Sequence, residues 1–337
     1  MNTTLSHNNN FHLLRHLAAF FVLYAHAITI NGNEEFLYHS LKGRIELSSL
    51  GVQIFFIISG YLVTQSLLQT DTRWRFARKR LLRLWPALFV VTLLLCVVMG
   101  PLLSNLSAEN YFTQKQTWYF FLRNIIFLPV YDLPGVFNGE SVNSTFWTLF
   151  FEMACYACLL LAGKKLILKY RKPIILSWVL VMLLRYFFLR IIPWPVSLQN
   201  YRYGITEMMF LFFTASIWLL FSRDRCIPSR KIWVAALTLF IATTILPLPG
   251  YFTCIRELSL LLFIVEWGRS KPVIHWPGWD ISYGVYLIGY SVQMIIVYHA
   301  SFYRSNAFTV FIATLLITVP LAFCLWYGIE RPALRRK

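Results

Sequence analysis

Acidic residues are scarce in this 337-residue chain: 14 Asp and Glu stand against 31 Lys and Arg, and all charged types together make up only 13%. A soluble globular domain carries about a quarter charged residues, so the composition excludes that class. Missing too is any polar block long enough to fold separately, which leaves residues 1–337 as a single domain. Cysteine is sparse: Cys96, Cys155, Cys158, Cys226, Cys254 and Cys324 sit mostly within apolar runs, where a thiol behaves as a small hydrophobe. No disulfide framework is implied. Cys155 and Cys158 lack the second pair that a structural zinc site needs, and no metal is expected.

What the chain has instead is apolar length. Hydrophobic residues make up 58% and aromatics 18%, with a mean hydropathy of +0.59. Stretches near the 20 or so residues that cross a bilayer recur throughout. They predict an all-α, polytopic transmembrane helix bundle of about ten spans, at 11–30, 46–69, 84–104, 145–162, 173–192, 204–222, 232–248, 253–268, 281–300 and 306–328. Trp118 to Leu128 is too short to cross and reads as interfacial or re-entrant. The first span has no basic n-region and no small-residue cleavage site, so it reads as a retained helix and not a signal peptide.

The net charge of +17 might suggest nucleic acid as a partner. A DNA-binding surface gathers its basic residues on one soluble face, whereas here they fall in short clusters between apolar spans. With the N-terminus cytoplasmic, 21 of the 31 Lys and Arg lie in inner loops, six in outer loops and four (Arg15, Arg185, Arg190, Arg256) within spans. That bias places both termini in the cytoplasm and excludes a nucleic-acid role. No internal repeat or pair of matched broken helices of the transporter kind is evident.

Charged and titratable groups at membrane depth are costly and mark sites. The first span carries two, Arg15 and His26. Eleven residues apart, they are roughly 20° past three full turns and about 16 Å apart along one helix face. A cation low in the membrane and an imidazole high suit the movement of a reactive group across it.

The densest basic run is Arg73, Arg75, Arg78, Lys79, Arg80 and Arg83. It serves positive-inside retention and contact with anionic lipid. Arg80 and Arg83 also project together on one helical turn, a fork suited to the phosphates of a nucleotide-bearing cofactor. Just upstream, Ser59 and Gly60 either permit close helix packing or let a slender ligand arm pass near the backbone, with Tyr61 as a hydrogen-bond donor. Both roles are compatible.

Read in order, the motifs form a set: Arg15-x10-His26, GVQIFFIISGYL, RKRLLRLWP, the Trp-Thr-Leu-x2-Glu segment ending at Glu152, Ile-Ser-Tyr-x2-Tyr-Leu at the start of the ninth span, and Glu330-Arg331-Pro332. The chain resembles the membrane acyltransferase-3 family, which includes O-acetyltransferases of bacterial O-antigens and other surface polysaccharides. The resemblance covers residues 11 to 334. It implies transfer of an acyl group, commonly acetyl, from cytoplasmic acetyl-CoA to a carbohydrate hydroxyl outside. Arg15 and His26 would be the essential pair, with Glu152 as the family carboxylate. Arg80 and Arg83, in the Arg78-Lys79 run, would hold the CoA phosphates, with Ser59, Gly60 and Tyr61 beside the donor arm. Many relatives carry a His shortly after the Tyr-Leu of span nine; here Ile288-Gly289 follows, and that imidazole is absent.

Helix geometry adds an independent expectation. His26 lies about 6 Å from the outer end of its span and Glu152 about 10 Å into its own, so their depths nearly match. A carboxylate beside the imidazole would fix its tautomer and support a general base. Arg256 and Glu257 are expected to pair with one another or with neighbouring helices in a structural role. Glu207, near the outer end of the sixth span, is a candidate sugar contact. His12 and His16 read as solvent or headgroup contacts, Asp280 as a helix N-cap, and Trp118, Tyr119, Tyr131, Trp194, Tyr201 and Tyr203 as interfacial belt.

The sequence therefore points to a bacterial inner-membrane O-acetyltransferase. It would use acetyl-CoA and act on a glycan or lipid-linked oligosaccharide such as O-antigen at the periplasmic side, with His26 as base and membrane lipids around it. The alternatives are a lipid-linked sugar flippase or small-solute transporter, or an acyltransferase with another donor or acceptor.

Overall fold

The computed structural model describes residues 9–191, 204–223, 229–248, 252–299 and 306–336; Cys226, Trp194, Tyr201 and Tyr203 lie outside the described residues. Among the described residues the chain is helical, without a strand. Each of the ten expected segments contains a helix. Five helical stretches are long and apolar enough to cross a membrane: Phe11–Thr29, Leu47–Gln69, Arg73–Leu103, Ser144–Lys169 and Ala307–Arg335.

Helices α1 (Phe11–Thr29) and α2 (Leu47–Gln69) form an antiparallel central pair. Small residues bring them together: Ala18 of α1 is wholly buried, and a Cβ at Gly51 would run into the Ala18 carbonyl. Without a hydrophobic drive between helices in lipid, such close backbone approach is what dispersion attraction requires. Gly60 does the same on another face of α2, against the Phe212 backbone of α7 (Phe210–Ser222).

Helix α3 (Arg73–Leu94) begins at Thr72, whose hydroxyl accepts the Arg75 N–H at 3.2 Å. It runs on through a π-turn at Leu95–Met99 to Leu103. The basic run is therefore the first turns of a membrane helix, not a loop ahead of a span starting at 84. Hydropathy marks where a helix enters lipid, not where its hydrogen bonds begin. In α5 (Trp147–Lys169) the expected end at 162 coincides with a break, because Gly163 takes non-helical backbone angles with positive φ and kinks the chain there. The correction made for α3 applies to α11 (Ala307–Leu325, extended through a π-turn at Trp326–Glu330 to Arg335), where the turn carries Glu330 inward.

The long connection before α5 is folded, not loose. Helix α4 (Lys115–Ile125) buries Thr117, Phe120 and Asn124 and exposes Trp118, Tyr119 and Leu122, the pattern of an interfacial helix. Beyond it, irregular backbone threads inward, burying Leu133, Val136, Phe137 and Val142. Non-helical backbone at such depth survives only when its polar groups find protein partners. Ser291 Oγ supplies one by donating to the Val142 carbonyl at 2.9 Å, and the adjoining Asn143 Nδ2 donates to Ser291 Oγ at 3.1 Å and to the Leu287 carbonyl at 2.7 Å.

The remaining helices are α6 (Arg171–Ile191), α8 (Ser229–Ile245), α9 (Thr253–Gly268) and α10 (Ser282–His299). The burial pattern inverts that of a soluble protein. Leu176, Leu180, Leu183 and Leu184 of α6 and Leu316 of α11 are exposed, while Asn143, Glu257, Glu266, Gln293 and Glu330 are buried. Apolar exteriors and polar interiors identify a multi-pass membrane protein. One interior pair is a bidentate clamp in which Arg185 of α6 holds Glu257 of α9, its guanidinium 4.1 Å over the Phe210 ring. Glu257 thus pairs with a neighbouring helix, in the structural role expected.

Candidate active site

A cavity of about 450 Å³ lies between α1, α2, α3, α5 and α10. Its lining changes character along its length. At one end stand His12 and Arg15 of α1, Arg80 and Arg83 of α3, and Asp280 just before α10. Ser59, Glu152 and Tyr156 occupy the middle, and Val52, Phe55, Thr148, Leu149 and Tyr286 close the other end. From Val52 to Val63 the cavity follows α2 for about 16 Å.

The basic end is organised around Asp280. Its carboxylate accepts from Arg83 Nη2 at 2.7 Å and Arg15 Nη1 at 3.1 Å. It also accepts from the Ser282 hydroxyl at 2.5 Å and backbone N–H at 3.3 Å. The N-cap reading is therefore correct but incomplete: the same side chain is the counter-ion of two arginines. Burial alone would push this carboxyl upward, yet Arg83, Arg15 and the Ser282 hydroxyl hold it well below the usual carboxylate range. Glu330 adds a second carboxylate 3.6 Å from Arg83, and neither of its buried oxygens has a hydrogen-bond partner.

Arg80 differs. Its Nη2 donates to Ser66 Oγ at 3.2 Å, its Nε is buried without a partner, and among the described residues no carboxylate lies in ion-pair range. The expected Arg80–Arg83 fork therefore splits: Arg83 is paired with protein carboxylates, and Arg80 lines the cavity without one in ion-pair range. Arg78 is exposed and Lys79 donates to Thr70 Oγ1 at 3.4 Å; neither lines the cavity. Ser59, Gly60 and Tyr61 also divide. Ser59 faces the cavity, Gly60 faces Phe212, and Tyr61 packs on Phe11 at 5.9 Å between ring centroids.

In the middle, Ser59 Oγ donates to Glu152 Oε1 at 3.2 Å and lies 3.1 Å from the Tyr156 hydroxyl, which itself donates to Glu152. Glu152 thus sits in a hydroxyl network and not on His26, which corrects the expectation from matched depths. Equal depth on two helices does not make them neighbours: α1 packs on α2, α10 and α11, and α5 on α2 and α3. His26 sets its ring edge-on to Tyr290 of α10, centroids 5.1 Å apart, and is not among the cavity's lining residues. Tyr286 and Tyr290 lie one turn apart on α10, about 6 Å along its axis.

Two further departures concern α1. His12 lines the cavity with a buried, unpartnered Nδ1, and stacks on Trp276 at 6.5 Å. His16 is packed between Trp276 and Trp279, with its Nδ1 2.7 Å from the His12 carbonyl. Neither is a headgroup contact. A signal for Asp280 was present: in a chain so short of acids, one placed against an apolar helix has a cation to hold. Tyr156, one turn after Glu152, carried a similar signal, whereas the role of His12 depends on a loop that hydropathy does not place.

Residues 8–327 match the family described as Acyltransferase domain. The chain is 26% identical over 310 residues to a protein of Shigella phage Sf6 named O-acetyl transferase, covering 88% of this chain and 89% of that protein. It is also 32% identical over 167 residues to Nodulation protein 10 of Rhizobium leguminosarum bv. viciae, covering 45% of this chain and 43% of that one. No solved structure matches the chain. With helices that cross a membrane around an arginine-lined cavity, and a family match over nearly its whole length, the chain belongs to the acyltransferase-3 family of membrane acyltransferases.

Proposed function

We propose that this acyltransferase moves an acetyl group from cytoplasmic acetyl-CoA to a hydroxyl of a cell-surface glycan, of O-antigen or lipid-linked oligosaccharide type, at the periplasmic face of a bacterial inner membrane. The observation that carries the reading is the cavity's polarity. One end is lined by Arg15, Arg80 and Arg83, next to the basic run at the start of α3, and the apolar end includes Tyr286, one helical turn before the Tyr290 that meets His26. Arg80, with a buried unpartnered Nε and, among the described residues, no carboxylate in ion-pair range, fits a donor phosphate. The relative named O-acetyl transferase supports the acetyl group.

In this reading Arg80 anchors the phosphates, and Asp280 keeps Arg15 and Arg83 aligned beside it. Ser59 and Glu152 line the path of the donor arm. His26 takes the proton of the acceptor hydroxyl as its oxygen attacks the thioester carbonyl carbon. The carbon–sulfur bond breaks, CoA leaves as the thiolate, and the imidazolium returns the proton to it. A thioester needs little activation, so positioning and one base suffice.

The test is His26→Ala at wild-type membrane levels, read by mass analysis of cell-surface glycan. Loss of acetylation is expected, and wild-type acetylation overturns the assignment of the base. Purified protein that moves a lipid-linked sugar across vesicles while binding no acetyl-CoA would replace the whole reading with transport.

A further inference from the structure

The apolar end of the cavity is closed by three side chains with an unusual amount of fixation. The Tyr286 hydroxyl lies 2.7 Å from Thr148 Oγ1 and donates to the Thr145 carbonyl at 3.0 Å, latching α10 to the start of α5. Phe55 of α2 sets its ring edge-on to the Tyr286 ring, centroids 5.6 Å apart. All three line the cavity, and Tyr286 and Thr148 are nearly buried. One turn beyond Tyr286 on the same helix, Tyr290 meets His26.

We propose that Tyr286, latched by Thr148 and backed by Phe55, is the gate that sets acyl-chain length, admitting a two-carbon acyl group toward His26 and rejecting longer ones. The inference rests on the reading of the donor as an acyl thioester and adds to it which acyl groups pass. A group entering from the arginine end meets the Tyr286 ring before it can reach the imidazole. Its carbonyl has to come level with that ring, so every carbon beyond the carbonyl must fit between Tyr286, Phe55 and the neighbouring Val52 and Leu149. Apolar pockets discriminate one methylene by about 10- to 200-fold. Here two hydrogen bonds at the Tyr286 hydroxyl fix where the side chain points, so the wall swings aside only when the latch to Thr148 and Thr145 breaks.

The experiment uses the full chain, purified in detergent, and measures competition of butyryl-CoA and hexanoyl-CoA against radiolabelled acetyl-CoA. The wild-type protein is expected to prefer acetyl-CoA over hexanoyl-CoA by at least tenfold, and Phe55→Ala to reduce that ratio to about threefold or less. Tyr286→Phe keeps the ring and removes only the latch. It is expected to lower the ratio by an intermediate amount, and it keeps the test decisive if Phe55→Ala fails to fold. Equal wild-type binding of acetyl-CoA and hexanoyl-CoA overturns the gate alone, as does a ratio unchanged in both variants. Absence of binding by every thioester overturns the donor reading and the gate with it.

Discussion

Two sets of buried arginines in this protein look alike in composition and differ in balance. Arg185 and Glu257 form a charge-balanced unit: one cation, one carboxylate, two parallel contacts, tying α6 to α9, with Arg185 Nε alone left without a hydrogen-bond partner. At the cavity, Asp280 is shared by Arg15 and Arg83, Glu330 stands off at 3.6 Å, and among the described residues no carboxylate lies in ion-pair range of Arg80. A matched pair answers its own desolvation cost and is structure. An unmatched cation beside an open cavity waits for a charge from elsewhere, and is where function resides.

The largest test of this contrast is a pair of substitutions. Asp280→Asn leaves two buried guanidiniums without their carboxylate and is expected to cost about 3–5 kcal/mol. It should also abolish glycan acetylation; thermal unfolding in detergent and glycan mass read the two effects. Glu257→Gln should cost a similar amount of stability, yet the folded fraction should bind acetyl-CoA as the wild type does. Equal loss of donor affinity in both variants would erase the distinction. Replacing Arg185 and Glu257 together by leucine should recover stability, because a well-packed apolar pair substitutes for a buried ion pair.

Arg80→Ala comes next in size. Losing charge-assisted hydrogen bonds, each worth about 1.5–3 kcal/mol, should weaken acetyl-CoA binding about 10- to 100-fold, while lowering stability less than Asp280→Asn does. Arg80→Lys should recover only part of the affinity, since an ammonium cannot reproduce the fork. Smaller still, Arg78→Ala and Lys79→Ala should change stability by no more than about 0.5 kcal/mol and leave donor affinity unaltered by titration calorimetry. The part of the pH dependence that Asp280 itself contributes should be flat at neutral pH. A carboxylate whose folded value is depressed contributes stability that is present above its unfolded value, about 3.9, and lost only as pH falls below it. Ionisation of Asp280 should therefore add no slope in unfolding temperature between pH 5 and pH 8, and its contribution should fall away only in acid.

The helical, membrane-embedded architecture was legible because 3.6-residue periodicity and apolar length are local properties, and every expected segment proved to hold a helix. Helix ends were less so: the continuation of α3 back to Arg73 and of α11 on to Arg335 depends on caps and π-turns that hydropathy ignores. Within the site, Arg15, Ser59, Arg80, Arg83 and Glu152, each singled out by residue type and spacing, line one cavity. Partners were not legible. That Glu152 answers to Tyr156 and Ser59, and that Asp280 binds Arg15 across 265 residues of sequence, follows from which helices touch. No single-helix periodicity carries that information.

The glycines of α2 have one consequence for motion. Gly51 and Gly60 seat that helix directly on the backbones of α1 and α7 at two points. Three helices so joined travel as one rigid plate. Whatever breathing lets a substrate in must come from the opposite wall, where α5 and α10 meet through hydroxyls that can trade partners.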